Sequence, residues 1–114
     1  MIYKVSDKFG HCKISVDDDI WTISVWWVDE KYRNRGYGKK MLTSLIKQIL
    51  RENACPNQIR YIWNGQNEYV HDWLNKFNAK CVANINIVKN APDDDWESRI
   101  YILDTEMFLK YCDV

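Results

Sequence analysis

Val28-Asp29-Glu30-Lys31-Tyr32-Arg33-Asn34-Arg35-Gly36-Tyr37-Gly38 decides how the rest of the chain is read. An apolar stretch, Ile20 to Val28, runs into it, and an amphipathic one, Gly38 to about Glu52, runs out. Glycine lets a backbone turn tightly and lets a ligand approach the N–H groups. A helix starting just behind supplies unpaired N–H donors and a partial positive charge. Together these predict a seat for a phosphate or pyrophosphate. Lys31, Arg33, Arg35, Lys39 and Lys40 crowd the same region with no acidic residue among them, in a chain of formal net charge +0. A basic island in a neutral chain predicts one local anion and argues against nucleic acid bound over a broad surface.

Upstream, Ile2 to Val5 reads as a short strand and Lys8-Phe9-Gly10 as a turn. From His11 to Val16, Cys12, Ile14 and Val16 alternate with polar residues, the period of a half-buried strand. Asp17 to Asp19 is a turn. In the Ile20–Val28 strand, Trp21, Ile23, Val25 and Trp27 share one face; past Ser24, Trp26 and Val28 are apolar too, which predicts an end buried on both faces.

Downstream, Met41, Leu42, Leu45, Ile46, Ile49 and Leu50 form one helical stripe, and Pro56 stops it. Ile59 to Trp63 is a strand that a right-handed crossover sets parallel to 20–28. Asn64 to Asn67 is a turn. A shorter helix runs to about Phe77 with Val70, Trp73, Leu74 and Phe77 inward, and Asn78 ends it. Lys80 to Val88 alternates with Cys81, Ala83, Ile85 and Ile87 in phase. Asn90 to Trp96, with Asp93 to Asp95, is a polar turn, and Ser98 to Leu103 a last strand. Asp104 reads as the N-cap of a short helix through Tyr111. The expected class is α/β, a mixed sheet with helices packed on it, in a single domain over 1–114.

Six tryptophans and seven tyrosines predict a core filled with aromatics, and an aromatic acceptor cleft is consistent with them. The four cysteines are widely spaced, without a Cys-x-x-Cys pair or a nearby His, so no zinc pattern is expected. With no signal-peptide pattern in the first ten residues, they read as free thiols in a reducing, cytoplasmic setting, with Cys12 and Cys81 in the core. No apolar run approaches the roughly 20 residues that span a bilayer, so no membrane partner is expected.

The decisive stretch resembles motif A of the GNAT superfamily of acyl-CoA N-acyltransferases, in a small, N-terminally trimmed form. The family core Arg/Gln-x-x-Gly-x-Gly/Ala corresponds to Arg33-Asn34-Arg35-Gly36-Tyr37-Gly38, and the lead-in Val-x-x-x-Tyr-Arg to Val28 through Arg33. The resemblance covers roughly residues 9 to 88, and the layout is similar to that of a few phage-encoded proteins. It implies a mostly antiparallel central sheet with one splayed parallel strand pair, two main helices and a short C-terminal helix. It implies acetyl-CoA as co-substrate, with no metal. Trp26, Trp27 and Val28 would meet the pantetheine arm, and Arg33, Asn34, Arg35, Gly36, Tyr37, Gly38 and Lys39 the pyrophosphate. Asn67 would correspond to the motif B asparagine, or would simply cap a helix. The family tyrosine that protonates the leaving thiolate falls on Leu74, which has no proton to give. His71, one turn away on the same side of that helix, is the nearest titratable candidate for catalysis. No family-type glutamate base precedes motif A; Thr22 and Ser24 stand in that strand, so a base acting through water is expected.

These readings imply transfer of an acetyl group from acetyl-CoA to a primary amine: a protein lysine or N-terminus, or a small amine. The acidic turns at 17–19 and 93–95 would attract such a cation, or are simply solvated. A homodimer or a protein acceptor would complete the short acceptor side. The alternative is a non-catalytic interaction protein on the same fold, of the kind a phage would encode, with a vestigial or regulatory CoA site. A plain nucleotide- or phosphate-binding module is a third, weaker match.

Overall fold

A computed structural model describes residues 1–63, 70–87 and 96–113. Three strands come first: β1 (Ile2–Ser6), β2 (Gly10–Asp17) and β3 (Ile20–Val28). α1 (Tyr37–Glu52) carries the chain to β4 (Gln58–Trp63). α2 (Val70–Asn75), β5 (Lys80–Ile87), β6 (Trp96–Leu103) and α3 (Thr105–Tyr111) follow. The strands form one sheet in the order β1-β2-β3-β4-β6-β5. Neighbours are antiparallel except β3 and β4, which run parallel, as a crossover through one helix requires. This is the mixed sheet that the order of elements predicts, in the mostly antiparallel form that the resemblance implies.

Helix α1 forms because its apolar residues fall on one stripe. Met41, Leu42, Leu45, Ile46 and Ile49 are all buried in one core cluster with Ile14, Trp21, Ile23 and Ile59 of the sheet. Each such side chain contributes roughly 1.5–3 kcal/mol by leaving water. No described helix is long and apolar enough to cross a membrane.

Strand β3 departs from simple alternation. Lys13 pairs with Val25 but Ile14 pairs with Ile23, so Ser24 is an extra residue, a β-bulge. The bulge reverses the phase. Trp21 and Ile23 are buried before it, Trp26 and Val28 after it, and Val25 is 38% exposed. The expected shared face of Trp21, Ile23, Val25 and Trp27, and the end buried on both sides, are thereby corrected. The ladder between β3 and β4 covers only Ile20–Ile23 against Gln58–Tyr61 and stops at the same bulge. Beyond it β3 is paired to β2 through Val25 to Val28, and β4 to β6. The parallel pair is splayed there.

Cys81 is likewise corrected: it is exposed, whereas Cys12 is buried. β5 is the outermost strand and bulges at Val82, which is 55% exposed, so its alternation meets solvent. β6 begins at Trp96, two residues before the expected start. α2 ends at Asn75, earlier than expected, but Phe77 is still buried and Asn78 takes the left-handed conformation (φ 48°) that closes the turn. The turns at 64–67 and 88–95, with Asn67 and the second aspartate run, lie outside the described residues.

Candidate functional site

The loop after β3 is held on several sides. Asp29 N–H donates to the Phe9 carbonyl at 2.7 Å, and a 3-10 turn covers Glu30–Tyr32. Arg33 then reaches back: its Nε donates to the Val28 carbonyl at 2.9 Å, and its guanidinium lies 4.5 Å from the Trp27 ring centroid. Arg33 therefore braces the loop against the strand end, and the carbonyl of Val28, a residue expected to meet pantetheine, accepts from it. Asn34 (φ 62°) and Gly36 (φ 82°) turn the backbone into α1. A side chain on Gly36 would meet nothing within 4 Å, so the space above it is open and only its backbone angle demands glycine. Gly10 is different: a Cβ there would overlap the Trp27 carbonyl, so glycine allows β2 to lie against this strand end. Trp26 Nε1 donates to the Gly38 carbonyl at 3.0 Å and fastens the start of α1 to β3.

No side chain caps α1, and its first turn holds no acidic residue. Lys40 N–H donates to the Gly36 carbonyl at 3.1 Å. A cleft of about 320 Å³ opens at this helix start, lined by Trp26, Val28, Tyr32, Arg33, Asn34, Gly36, Tyr37, Gly38, Lys39 and Tyr111. A second hollow of about 460 Å³ shares Gly36 and Lys39 and adds Lys40, Thr43, Ser44, Lys47 and Asp113. One open helix end thus faces two adjoining hollows edged by cations, an arrangement suited to an extended anion with more than one phosphate.

Most residues singled out from the sequence meet here: Trp26, Val28, Arg33, Asn34, Gly36, Tyr37, Gly38 and Lys39 all line the cleft. Trp27 does not line it and meets the Arg33 guanidinium. Arg35 is exposed and also outside the lining. Asn67 lies outside the described residues. His71 is half-buried on α2, its ring 5.0 Å from that of Trp63, and is not part of the cleft wall. Leu74 is 2% exposed and belongs to the core. Among the described residues no three His, Cys, Asp or Glu side chains gather as metal ligands.

Tyr32 and Tyr111 are additions that sequence reasoning missed. Tyr32 completes an aromatic cluster: Phe9 stacks on Tyr37 at 4.1 Å and meets Tyr32 edge-on at 4.8 Å. Tyr111 arrives from the end of α3, between Phe108 and the C-cap Cys112, both 0% exposed. Its signal was the spacing of Phe108, Tyr111 and Cys112 on one helical face. Burial pushes the Cys12 and Cys112 thiols up to about 12, and Cys112 raises Cys12 further. Burial also raises the Tyr111 phenol. Its neighbour Trp73 offsets part of that rise; among the described residues the Trp73 indole N–H has no hydrogen-bond partner.

Comparison with known proteins agrees with this arrangement. Residues 6–78 match the acetyltransferase (GNAT) family. No curated protein sequence matches the chain. Similar solved structures include an N-acetyltransferase from Staphylococcus aureus Mu50, with TM-score 0.60 and 19% identity over 83% of this chain and 59% of that one. The ribosomal-protein-S18-alanine N-acetyltransferase of Escherichia coli gives 0.59 and 18%, covering 82% and 59%. NAA60 of Arabidopsis thaliana in complex with a bisubstrate analogue gives 0.59 and 14%, covering 82% and 63%. At these identities the likeness is one of fold, and the chain spans about three fifths of each structure's length.

Proposed function

The chain belongs to the acetyltransferase (GNAT) family, and we propose that it is an N-acetyltransferase moving an acetyl group from acetyl-CoA to a primary amine. The observation that carries this reading is the uncapped, glycine-led start of α1, opening on a cleft beside a strand released from its neighbour. The residues present fit acetyl-CoA: the space above Gly36 is open, and the walls are basic and aromatic. Bound there, acetyl-CoA would supply an activated thioester. The start of α1 with Lys39 would hold its diphosphate, Arg33 would keep the loop in place, and Trp26 would form the wall along its arm. Holding thioester and amine together would provide much of the acceleration. The amine, with a pKa near 10.4, must shed a proton before it attacks, and water in the open cleft would take it. A protein acceptor or a second subunit would close the short acceptor side.

A second reading has its own support. Leu74 is sealed in the core where the family's proton donor would stand. A CoA-binding interaction protein without transfer activity is consistent with that substitution. Thermal denaturation with acetyl-CoA, CoA and ATP tests both readings. At 100-fold excess over Kd, acetyl-CoA should stabilise the protein by about 2.7 kcal/mol and ATP by much less. No shift at millimolar acetyl-CoA would end the transferase reading. A shift without transfer to any amine would leave the interaction protein.

A further inference from the structure

An acyl-CoA, the co-substrate on whose binding this inference rests, carries two kinds of phosphate: a diphosphate and, on its ribose, a separate monoester. The start of α1 with Lys39 accounts for the first alone. Two further hollows adjoin the cleft there. One, of about 250 Å³, shares Tyr37 with the cleft and is lined by Val5, Phe9 and Met41, with Asp7 among them. Asp7 Oδ1 accepts from the Phe9 and Gly10 N–H groups at 2.8 and 3.2 Å, so its carboxylate is fixed in place. Apolar walls around a fixed carboxylate suit no phosphate, although Lys40 and Ser44 also reach that hollow. The other, of about 460 Å³, shares Gly36 and Lys39 with the cleft and follows α1, lined by Lys40, Ser44 and Lys47, all three exposed. Steps of four and three residues keep these on one line of the helix. The Cα–Cβ bond of a helical residue tilts toward the helix N-terminus, so Lys47 leans back toward Ser44, Lys40 and the helix start. Among the described residues no ion pair or hydrogen bond holds the Lys40 or Lys47 ammonium.

We propose that Lys40, Ser44 and Lys47 seat the ribose 3′-phosphate of the acyl-CoA, so that this chain selects CoA over its 3′-dephospho form. A phosphate monoester carries close to two negative charges at neutral pH. The two uncommitted ammonium groups match that charge, and the Ser44 hydroxyl between them offers a further donor. Asp113 is the one carboxylate in the lining, and it opposes a phosphate arriving alone. A phosphate tethered to a ligand already held at the helix start meets the same groups at high effective concentration. Both lysines are exposed, so each contact should be worth about fivefold in affinity at most, and the pair about tenfold.

The test uses the whole chain, wild type and the double variant Lys40→Gln with Lys47→Gln, and needs no acceptor. Calorimetry at low ionic strength measures affinity for acetyl-CoA and for acetyl-3′-dephospho-CoA. Wild type should prefer acetyl-CoA by about tenfold, a preference that shrinks as salt is added. The double variant should bind both ligands alike, and its affinity for the dephospho form should stay within about twofold of wild type. Phosphorus NMR of bound acetyl-CoA supplies a second readout. Two cations favour the dianion, so the second ionisation of the 3′-phosphate should fall below its usual value of about 6 in wild type and return toward it in the variant. Equal affinity of wild type for the two ligands would overturn the inference and leave the acyl-CoA reading intact. So would a variant that loses both ligands equally, the mark of a general field of positive charge, or one that keeps the wild-type preference. Failure of wild type to bind either ligand would remove the acyl-CoA reading and this inference with it.

Discussion

The two helices that meet at the cleft begin in opposite ways. α3 starts on Asp104, whose carboxylate accepts from Met107 N–H at 3.0 Å, and its far end is fastened by the buried Phe108 and Cys112. α1 starts on a left-handed glycine with no side-chain cap, and Lys39 and Lys40 stand in its first turn. A carboxylate suits the positive end of a helix; a cation there costs roughly 0.3–1 kcal/mol. An N-cap of the Asp104 kind contributes about 1 kcal/mol. The difference teaches which end serves the fold and which serves a ligand. One anion bound at α1 would satisfy the donors and offset the clustered charge together.

The sharpest way to break the comparison is Gly36→Val. A β-branched residue resists φ 82° and fills the open space above the helix start. Calorimetry should then find no acetyl-CoA binding, while circular dichroism still reports the fold; retained affinity would make this loop a plain turn.

Next in size is an alkaline effect on the anchored end of α3. Cys12 and Cys112 are held near 12 in the folded chain against an ordinary 9.0. Below pH 9 both thiols are protonated in either state, and their contribution is complete. Between 9 and about 12 the unfolded chain ionises and the folded one does not, so stability drains as pH rises, by at most about 1.4 kcal/mol per pH unit for each thiol. Urea melts across that range should show the loss, and Cys12→Val with Cys112→Ala should flatten it. A flat wild-type profile would mean that these thiols are not shielded.

Arg33→Ala should weaken acetyl-CoA binding by about 1.5–3 kcal/mol, the range for hydrogen bonds to charged groups. Much of that would come through the loop, since Arg33 Nε is bonded to the Val28 carbonyl. The smallest effect belongs to Asp104→Ala, about 1 kcal/mol of folding stability by chemical denaturation. A larger loss of ligand affinity than of stability in that variant would mean the two helix ends are coupled.

Both helix starts were legible in the sequence, because a glycine pair behind basic residues and an aspartate before a helical stripe are local signals. The bulge at Ser24 was not. Trp26 and Val28 are as apolar as Val25 and Trp27, so composition could not choose the phase; pairing with β2 chose it. Cys81 alternated correctly along its strand, but its exposure depends on β5 being outermost. Tyr111 escaped notice because it is far in sequence from the loop it joins and only the docking of α3 brings it there. His71 drew attention through its place on a helix, and that place faces Trp63.

Amide chemical shifts during a titration with acetyl-CoA put the central claim to its most direct test. The account predicts that the N–H resonances of Gly36, Tyr37, Gly38 and Lys39 move furthest and saturate together. Those of Thr105, Glu106 and Met107 at the start of α3 should barely change. Saturating binding that leaves the α1 start unmoved, or moves both helix starts equally, would contradict it.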